Sequence, residues 1–193
     1  MTYSEKIKGR SKIKYFLGLL ARIVPYVIYS NNRRIARKNG ATIGDNVIIN
    51  KSLAQKANSN LHIGNNTSIQ TDKIDTRARV HIGENVIIGQ NVEIITVSHN
   101  IDSEFWENKY YGLEIEDYSW IATNAFILPS CRKIEFGTVI AARSVVVSNT
   151  MKMAVVSGNP AKEIKKRKTV HSELVVPSLL SGDLQFYLNA RKI

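Results

Sequence analysis

The sequence lacks several features that would place it in common protein classes. Its single cysteine, Cys131, cannot form an internal disulfide. The N-terminal region has neither the uninterrupted apolar run nor the small-residue cleavage site of a secretory signal. We therefore expect a cytoplasmic protein. At 193 residues with 44% apolar content, the chain is long enough for one buried core and too short to need a second.

Acidic residues are scarce at the two ends of the chain, which is the origin of the formal net charge of +11. Residues 1–39 carry ten Lys or Arg against one acid, and residues 161–193 carry seven against three. Residues 40–160 carry ten against twelve. A nucleic-acid-binding protein places its positive charge around the surface that reads the nucleic acid. Because the centre of this chain is slightly acidic, we expect no nucleic-acid partner.

An internal repeat of six residues runs through the centre of the chain. A period of six fits neither a helix nor a simple amphipathic strand, but it suits short strands separated by identical corners. Each hexad then forms one wall of a stack, with its branched aliphatic in the core and, in eleven of thirteen cases, a small residue four positions later. The ladder aliphatics are Ile43, Ile49, Ile63, Ile69, Ile82, Ile88, Ile94, Ile115, Ile121, Ile127, Ile134, Ile140 and Val146.

Turn-forming residues recur in phase with this ladder. Glycine directly follows four of the aliphatics, and an asparagine stands two positions after each glycine. Both residue types tolerate tight corners and positive φ. The pairs are Gly44 with Asn46, Gly64 with Asn66, Gly83 with Asn85 and Gly89 with Asn91.

This pattern resembles the hexapeptide-repeat acyltransferases, and most closely their sugar and polysaccharide O-acetyltransferases of the colanic acid, O-antigen and galactoside or maltose type. The resemblance implies a mostly β fold, a left-handed parallel β-helix whose coils have three walls, assembled as a homotrimer. We expect a basic amphipathic helical arm or cap over residues 1–40 and the β-helix over 41–157. An excursion loop should leave the coil over 100–114, and a basic helix and tail should follow over 158–193.

The segment VSHNID contains the candidate base, His99, where the repeat ends and the excursion begins. It resembles the SHN or THP position of sugar O-acetyltransferases, which implies that His99 is the general base. A neutral imidazole can take the proton of a sugar hydroxyl as that oxygen attacks a thioester. His62 and His81 are expected to stack on an outer face, and His171 lies in the tail. Since the closely spaced histidines of a zinc-binding carbonic anhydrase of this fold are absent, we expect no metal site.

Two further segments imply an acetyl-CoA site. The ending VVSGNPAKEIKKRK resembles VAGNPAKVIRKR of the family, which implies a turn at residues 158–160 and then a basic helix. Lys162 and Lys165 would lie one helical turn apart, near the CoA phosphates. The segments IEDYSWIATNAFILPS and VIAARSVV resemble the coils that line the pantetheine groove. By residue match, the groove would be formed by Trp120, Ala122, Thr123, Ala141, Ala142 and Ser148.

Candidates for the acceptor sugar come from two regions. The segment SIQTDKIDTRARVHIGEN resembles the galactoside and maltose acetyltransferases, which maps Gln70 and Asp75 onto polar acceptor-binding positions. In the excursion, Asn100, Asp102 and Trp106 offer hydrogen-bonding groups and an aromatic face of the kind that binds sugars.

The apolar segment Tyr15–Tyr29 is expected to be too short to span a bilayer, and Arg22 and Pro25 interrupt it. Together with the basic residues around it, residues 1–39 have the composition of an interfacial anchor for an anionic membrane, at the inner face of which the protein would be peripheral. A helical cap over the open first coil explains the same segment. The two interpretations are compatible, and the sequence leaves both open.

The leading functional hypothesis is an O-acetyltransferase. It would move acetyl from acetyl-CoA to a sugar hydroxyl in a surface polysaccharide or its lipid-linked precursor. An N-acetyltransferase for an amino sugar nucleotide, or an antibiotic acetyltransferase, would use the same scaffold. A non-catalytic β-helix scaffold is a third possibility, because Ala122, Ala141 and Arg143 stand where the resembling family has glycines.

Overall fold

The computed structural model describes residues 1–170 and 172–191; His171 lies outside the described residues. Its centre is a stack of coils with three walls, each wall a sheet of short strands that are parallel except for the last strand of the second wall. The first wall contains β1 (Thr42–Ile43), β2 (Leu61–Ile63), β4 (Val80–Ile82), β9 (Leu113–Ile115) and β12 (Lys133–Ile134). The second contains β3 (Ser68–Ile69), β5 (Ile87–Ile88), β10 (Trp120–Ile121), β13 (Val139–Ile140), β15 (Ala154–Gly158) and β16 (Ala161–Lys166). The third contains β6 (Glu93–Ile94), β11 (Phe126–Ile127) and β14 (Val145–Val146).

The ladder of aliphatics forms the core, as the repeat predicts. Strands pair in register from coil to coil, so that Ile43 lies beside Ile63, and Ile63 beside Ile82. All thirteen ladder aliphatics are buried, and at most 5% of the surface of each residue is exposed. Ten of the eleven small residues are buried too, and the exception, Ser98, lies in a hairpin that leaves the coil.

The corners also follow the sequence. The four repeat asparagines adopt φ angles between 54° and 56°, the left-handed region that asparagine tolerates. The corner glycines allow successive coils to stack closely. A Cβ added at Gly64 would lie 2.7 Å from the carbonyl carbon of Gly83, so any larger residue would push the two corners apart.

Two helices precede the coils, α1 (Tyr3–Lys8) and α2 (Lys12–Lys38), and α3 (Lys51–Lys56) follows the first strand. The C-terminal half of α2 covers the open first coil. Asn32 donates to the carbonyl of Ile49 at 2.8 Å, and Arg33 donates to the carbonyl of Val47 at 3.0 Å. These side chains satisfy edge carbonyls that have no further coil to pair with. Capping is therefore one role of the helical arm.

The segment after Gly158 corrects a prediction. The expected basic helix is a β-strand, β16, which pairs antiparallel with β15 at the edge of the second wall. Gly158, with a φ of 106°, permits the reversal. The unpaired backbone edge of β15 supplies hydrogen-bond partners that an isolated short helix would lack, so the chain continues the sheet.

The rest of the C-terminal tail returns to the N-terminal helices. A 3₁₀ helix (Val176–Leu180) and α4 (Leu184–Asn189) pack beside α1 and α2. Tyr187 of α4 is fully buried and stacks on Tyr15, with ring centroids 4.9 Å apart. The two ends of the sequence thus form one small second core.

Candidate active site

A β-hairpin carries the candidate base away from the coil. Its strands are β7 (Val97–His99) and β8 (Asn108–Tyr110), paired antiparallel with His99 opposite Asn108. The excursion therefore contains regular structure, in contrast to the expected loop over 100–114. It also ends earlier, because Leu113 is buried on β9 in the first wall.

One hydrogen bond sets the state of the His99 ring. Its Nδ1 lies 2.9 Å from the carbonyl oxygen of Trp106. A carbonyl only accepts hydrogen bonds, so Nδ1 carries the hydrogen in the neutral ring and Nε2 carries the lone pair. The imidazole is exposed. The geometry thus presents Nε2 as a proton acceptor at the surface.

Trp106 holds this arrangement with both its backbone and its side chain. Its φ of 48° is unusual for a bulky residue and belongs to the turn that brings its carbonyl to His99. Its indole stacks on the imidazole, with ring centroids 5.5 Å apart and an interplanar angle of 21°. Sequence reasoning assigned Trp106 to the acceptor sugar. The structure shows its indole in contact with the imidazole of His99.

The loop between the strands is closed by Asn100 and Glu107. The Asn100 backbone N–H donates to the Glu107 carbonyl at 2.9 Å, and its side chain donates to Glu107 Oε1 at 2.6 Å. Hydrogen bonds from Ser103 and Asn100 hold the pKa of the Glu107 carboxyl below its usual value. Asn100 therefore fastens the loop, whereas Asp102 lies exposed near the loop's tip.

Asp75 lies at the base of the same hairpin. Its carboxylate accepts from the Thr96 backbone N–H at 3.2 Å and from the Arg77 guanidinium at 2.9 Å. Burial raises the pKa of Asp75, but these bonds and the Arg77 backbone N–H outweigh it and lower the pKa to about 2. Gln70 is elsewhere, after β3, where its backbone N–H donates to Ile88. Of Gln70 and Asp75, only Asp75 hydrogen-bonds to the segment that leads to His99.

The residues expected to line the pantetheine groove lie on neighbouring coils of the second wall. Trp120 pairs with Val139 and is 48% exposed. The corners that follow these strands stack, so Ala122 and Thr123 come next to Ala141 and Ala142. The N–H groups of Ala122 and Ala141 donate to carbonyls of the next coil, so they hold the stack together.

Ser148 and Lys162 line one cleft of about 270 Å³ between the last coil and β16, together with Asn149, Met151 and Glu163. The two lysines lie on a strand, so the expected spacing of one helical turn is wrong. They nevertheless share a face, because an irregularity in the pairing places Lys162 opposite Ser157 and Lys165 opposite Val155.

His62, His81 and Cys131 lie where their surroundings indicate structural roles. His62 and His81 pair in register on the outer face of the first wall, with ring centroids 6.2 Å apart. Within residues 1–170 and 172–191, no three His, Cys, Asp or Glu side chains cluster as a metal site would require. Cys131 is buried, and burial raises its pKa to about 11, so it is a protonated core thiol at neutral pH.

No family model matches the chain. Its fold matches that of a hexapeptide-repeat acetyltransferase from Vibrio cholerae with a TM-score of 0.62 at 22% identity, over 88% of this chain and 95% of that one. The putative colanic acid biosynthesis acetyltransferase WcaF of Escherichia coli (strain K12) is 31% identical over 144 residues, 74% of this chain and 79% of that protein. The chain belongs to the hexapeptide-repeat acetyltransferases. The resemblance drawn from the sequence is confirmed.

Two further comparisons concern donor and acceptor. The Vibrio cholerae hexapeptide-repeat acetyltransferase has also been solved with acetyl coenzyme A, and that structure matches this chain with a TM-score of 0.53 at 21% identity, over 74% of this chain and 88% of that one. The galactoside O-acetyltransferase of Escherichia coli (strain K12) is 28% identical over 131 residues, 65% of this chain and 64% of that protein. Since the chain belongs to the hexapeptide-repeat acetyltransferases, it is an enzyme, as predicted.

Proposed function

We propose that this enzyme transfers acetyl from acetyl-CoA to a hydroxyl of a sugar in a surface polysaccharide or its lipid-linked precursor. The relatives named for colanic acid biosynthesis and galactoside acetylation support a sugar hydroxyl as acceptor. The observation that carries the proposal is the His99 ring itself. A backbone carbonyl holds its Nδ1–H, which leaves Nε2 ready to accept a proton.

In the proposed reaction, Nε2 of His99 takes the proton of the sugar hydroxyl while the hydroxyl oxygen attacks the thioester carbonyl carbon. Backbone N–H groups stabilise the resulting oxyanion. The carbon–sulfur bond then breaks, and the protonated imidazole returns its proton to the CoA thiolate. The products are an acetyl ester and CoA, and His99 returns to its starting state. No metal is needed for any of these steps.

The donor is proposed to lie along the second wall. The exposed Trp120 and the stacked corners after β10 and β13 would contact the pantetheine arm. Lys162 and Lys165, on one face of β16, would bind the CoA phosphates, since lysine is a point charge that suits phosphate. Ser148 lies in the same cleft as Lys162 and would contact the same end of the donor.

We also propose a left-handed coil and a homotrimer in the cytoplasm. In the single chain, His99 lies exposed on a hairpin that leaves the coil. A neighbouring subunit would cover this side of His99 and exclude water from the thioester. Sedimentation of the full chain at a mass of three subunits, about 65 kDa from the chain mass of 21.7 kDa, is the expected result. A monomer that is active at nanomolar concentration would contradict it.

The acceptor class can be tested by incubating the full chain with acetyl-CoA and a panel of sugars, amino sugars and polysaccharide. Release of CoA is followed, and each acetylated product is then treated with hydroxylamine. Hydroxylamine cleaves esters under conditions that leave amides intact, so loss of the acetyl group identifies O-acetylation. A product that resists hydroxylamine would assign an N-acetyltransferase. Absence of turnover together with absence of CoA binding would favour a scaffold.

A further inference from the structure

The first two thirds of α2 expose one continuous apolar face. Eight large apolar side chains, each between 43% and 75% exposed, recur at intervals of three and four residues, the spacing of a single helix face. Soluble proteins rarely leave such a surface in water unless it binds something. The residues of this apolar stripe are Ile13, Phe16, Leu17, Leu20, Ile23, Val24, Val27 and Ile28.

The opposite face of the same helix is fastened to the protein. Tyr15 stacks on Tyr187, and Arg22 forms an ion pair with the buried Asp183, with 2.9 Å between Nε and Oδ1. Further along, Tyr29 donates to the Leu180 carbonyl at 3.4 Å. These contacts hold the helix lengthwise along the C-terminal tail.

This packing decides how the helix can meet a membrane. The apolar segment was expected to be too short to span a bilayer, but α2 has 27 residues and is long and apolar enough to do so by length and composition alone. The stripe itself covers 16 residues, or roughly 24 Å, which is shorter than the hydrocarbon core. A helix held along one face by the tail lies flat on a bilayer.

The charges around the stripe indicate what kind of surface it binds. Lys12 and Lys14 lie at its start, and Arg34 and Lys38 continue the same face beyond its end at helical spacing. All four are exposed, and Glu5 is the only acidic residue among residues 1–39. Two copies of this face would bring basic residues against each other. An anionic bilayer supplies the opposite charge and an apolar layer together.

We propose that the apolar stripe of α2 docks flat on an anionic lipid bilayer, with its side chains at the boundary between headgroups and acyl chains. The surrounding lysines and arginines would pair with anionic headgroups. The inference does not depend on acetyl transfer, because it uses none of the residues around His99. It would place the enzyme where a lipid-linked acceptor is found.

The test is co-sedimentation of the full chain with vesicles of phosphatidylcholine alone or with 30% phosphatidylglycerol added. The stripe variant is Leu17→Gln with Leu20→Gln. The matched control is Leu174→Gln with Leu179→Gln, two leucines of comparable exposure that lie in the tail. Glutamine is a good helix former, so exposed substitutions should leave the fold intact, and circular dichroism and the Tm check this.

Wild type and the control pair are expected to bind the anionic vesicles at low salt and to release from them at high salt. The stripe pair should bind about tenfold more weakly or worse. Equal vesicle binding by the stripe and control pairs would overturn the proposal. Failure of the wild type to co-sediment with anionic vesicles would overturn it too. If the stripe pair only changes the mass of the assembly by light scattering, the stripe contacts a second copy and the lipid proposal is wrong.

Discussion

Replacing Trp106 with alanine tests how the ring of His99, the proposed base, is oriented. The substitution keeps the backbone carbonyl that accepts the Nδ1 hydrogen bond of His99, but it removes the indole that stacks on the imidazole at 5.5 Å. An aromatic pair of this kind contributes about 0.5–1.5 kcal/mol beyond its buried area. If that energy holds His99 in the productive orientation, its loss lowers kcat by roughly 2- to 12-fold.

The assay is a steady-state measurement of CoA release with acetyl-CoA and acceptor varied separately. Trp106→Ala should lower kcat and leave both KM values within about twofold, because a positioning residue does not contact the sugar. Trp106→Phe keeps a stacking ring and should stay close to wild type. An acceptor KM that rises in Trp106→Ala while kcat is unchanged would refute this reasoning. The ring of Trp106 would then bind the acceptor sugar, as the sequence first indicated.

Three further perturbations follow from the contacts described. Asp183→Asn leaves the guanidinium of Arg22, only 13% exposed, without its charged partner and should lower the free energy of unfolding by about 3 kcal/mol in urea. Asp75→Asn should lower it by about 1 kcal/mol at pH 7, since the bond to the exposed Arg77 is screened. Because the pKa of Asp75 is about 2, this difference should be present above pH 4 and vanish as the pH falls through 2. Lys162→Ala with Lys165→Ala should weaken CoA binding in calorimetry, and the difference from wild type should shrink at high salt.

Each of these expectations has a result that contradicts it. An Asp183→Asn chain as stable as wild type would show that the two ends of the sequence are not joined by this ion pair. An Asp75→Asn difference that grows in acid would show that the pKa of Asp75 is raised by folding. Unchanged CoA affinity in the double lysine variant would place the phosphates away from β16.

The core of the fold could be predicted from the sequence because each six-residue repeat specifies its own buried residue and its own corner. A buried aliphatic every six residues, with glycine and asparagine at the corners, describes each wall without reference to distant contacts. Asn46 and its three counterparts take the positive φ that their residue type suggests. Such one-dimensional stacks depend mainly on neighbouring repeats, so local sequence carries most of the information.

The parts that escaped prediction depend on contacts between distant segments. The run from Lys162 to Lys168 suits a helix or a strand equally, and the free edge of β15 decides for the strand. The pairing of Arg22 with Asp183 joins residues 161 positions apart, for which the sequence carries no pattern. At the site, the motif predicts His99 as the base, but the hydrogen-bond partner of its ring is the backbone carbonyl of Trp106. Only the geometry of the turn reveals such a partner.

The central claim is that His99 accepts the proton of the attacking hydroxyl. The most direct measurement compares acetyl transfer by wild type and His99→Ala at saturating acetyl-CoA, with CoA affinity measured on both. The variant should keep its assembly and its affinity for CoA and lose transfer by about 10²-fold or more, as expected for a general base. Transfer within a few-fold of wild type would contradict the account and place the base elsewhere.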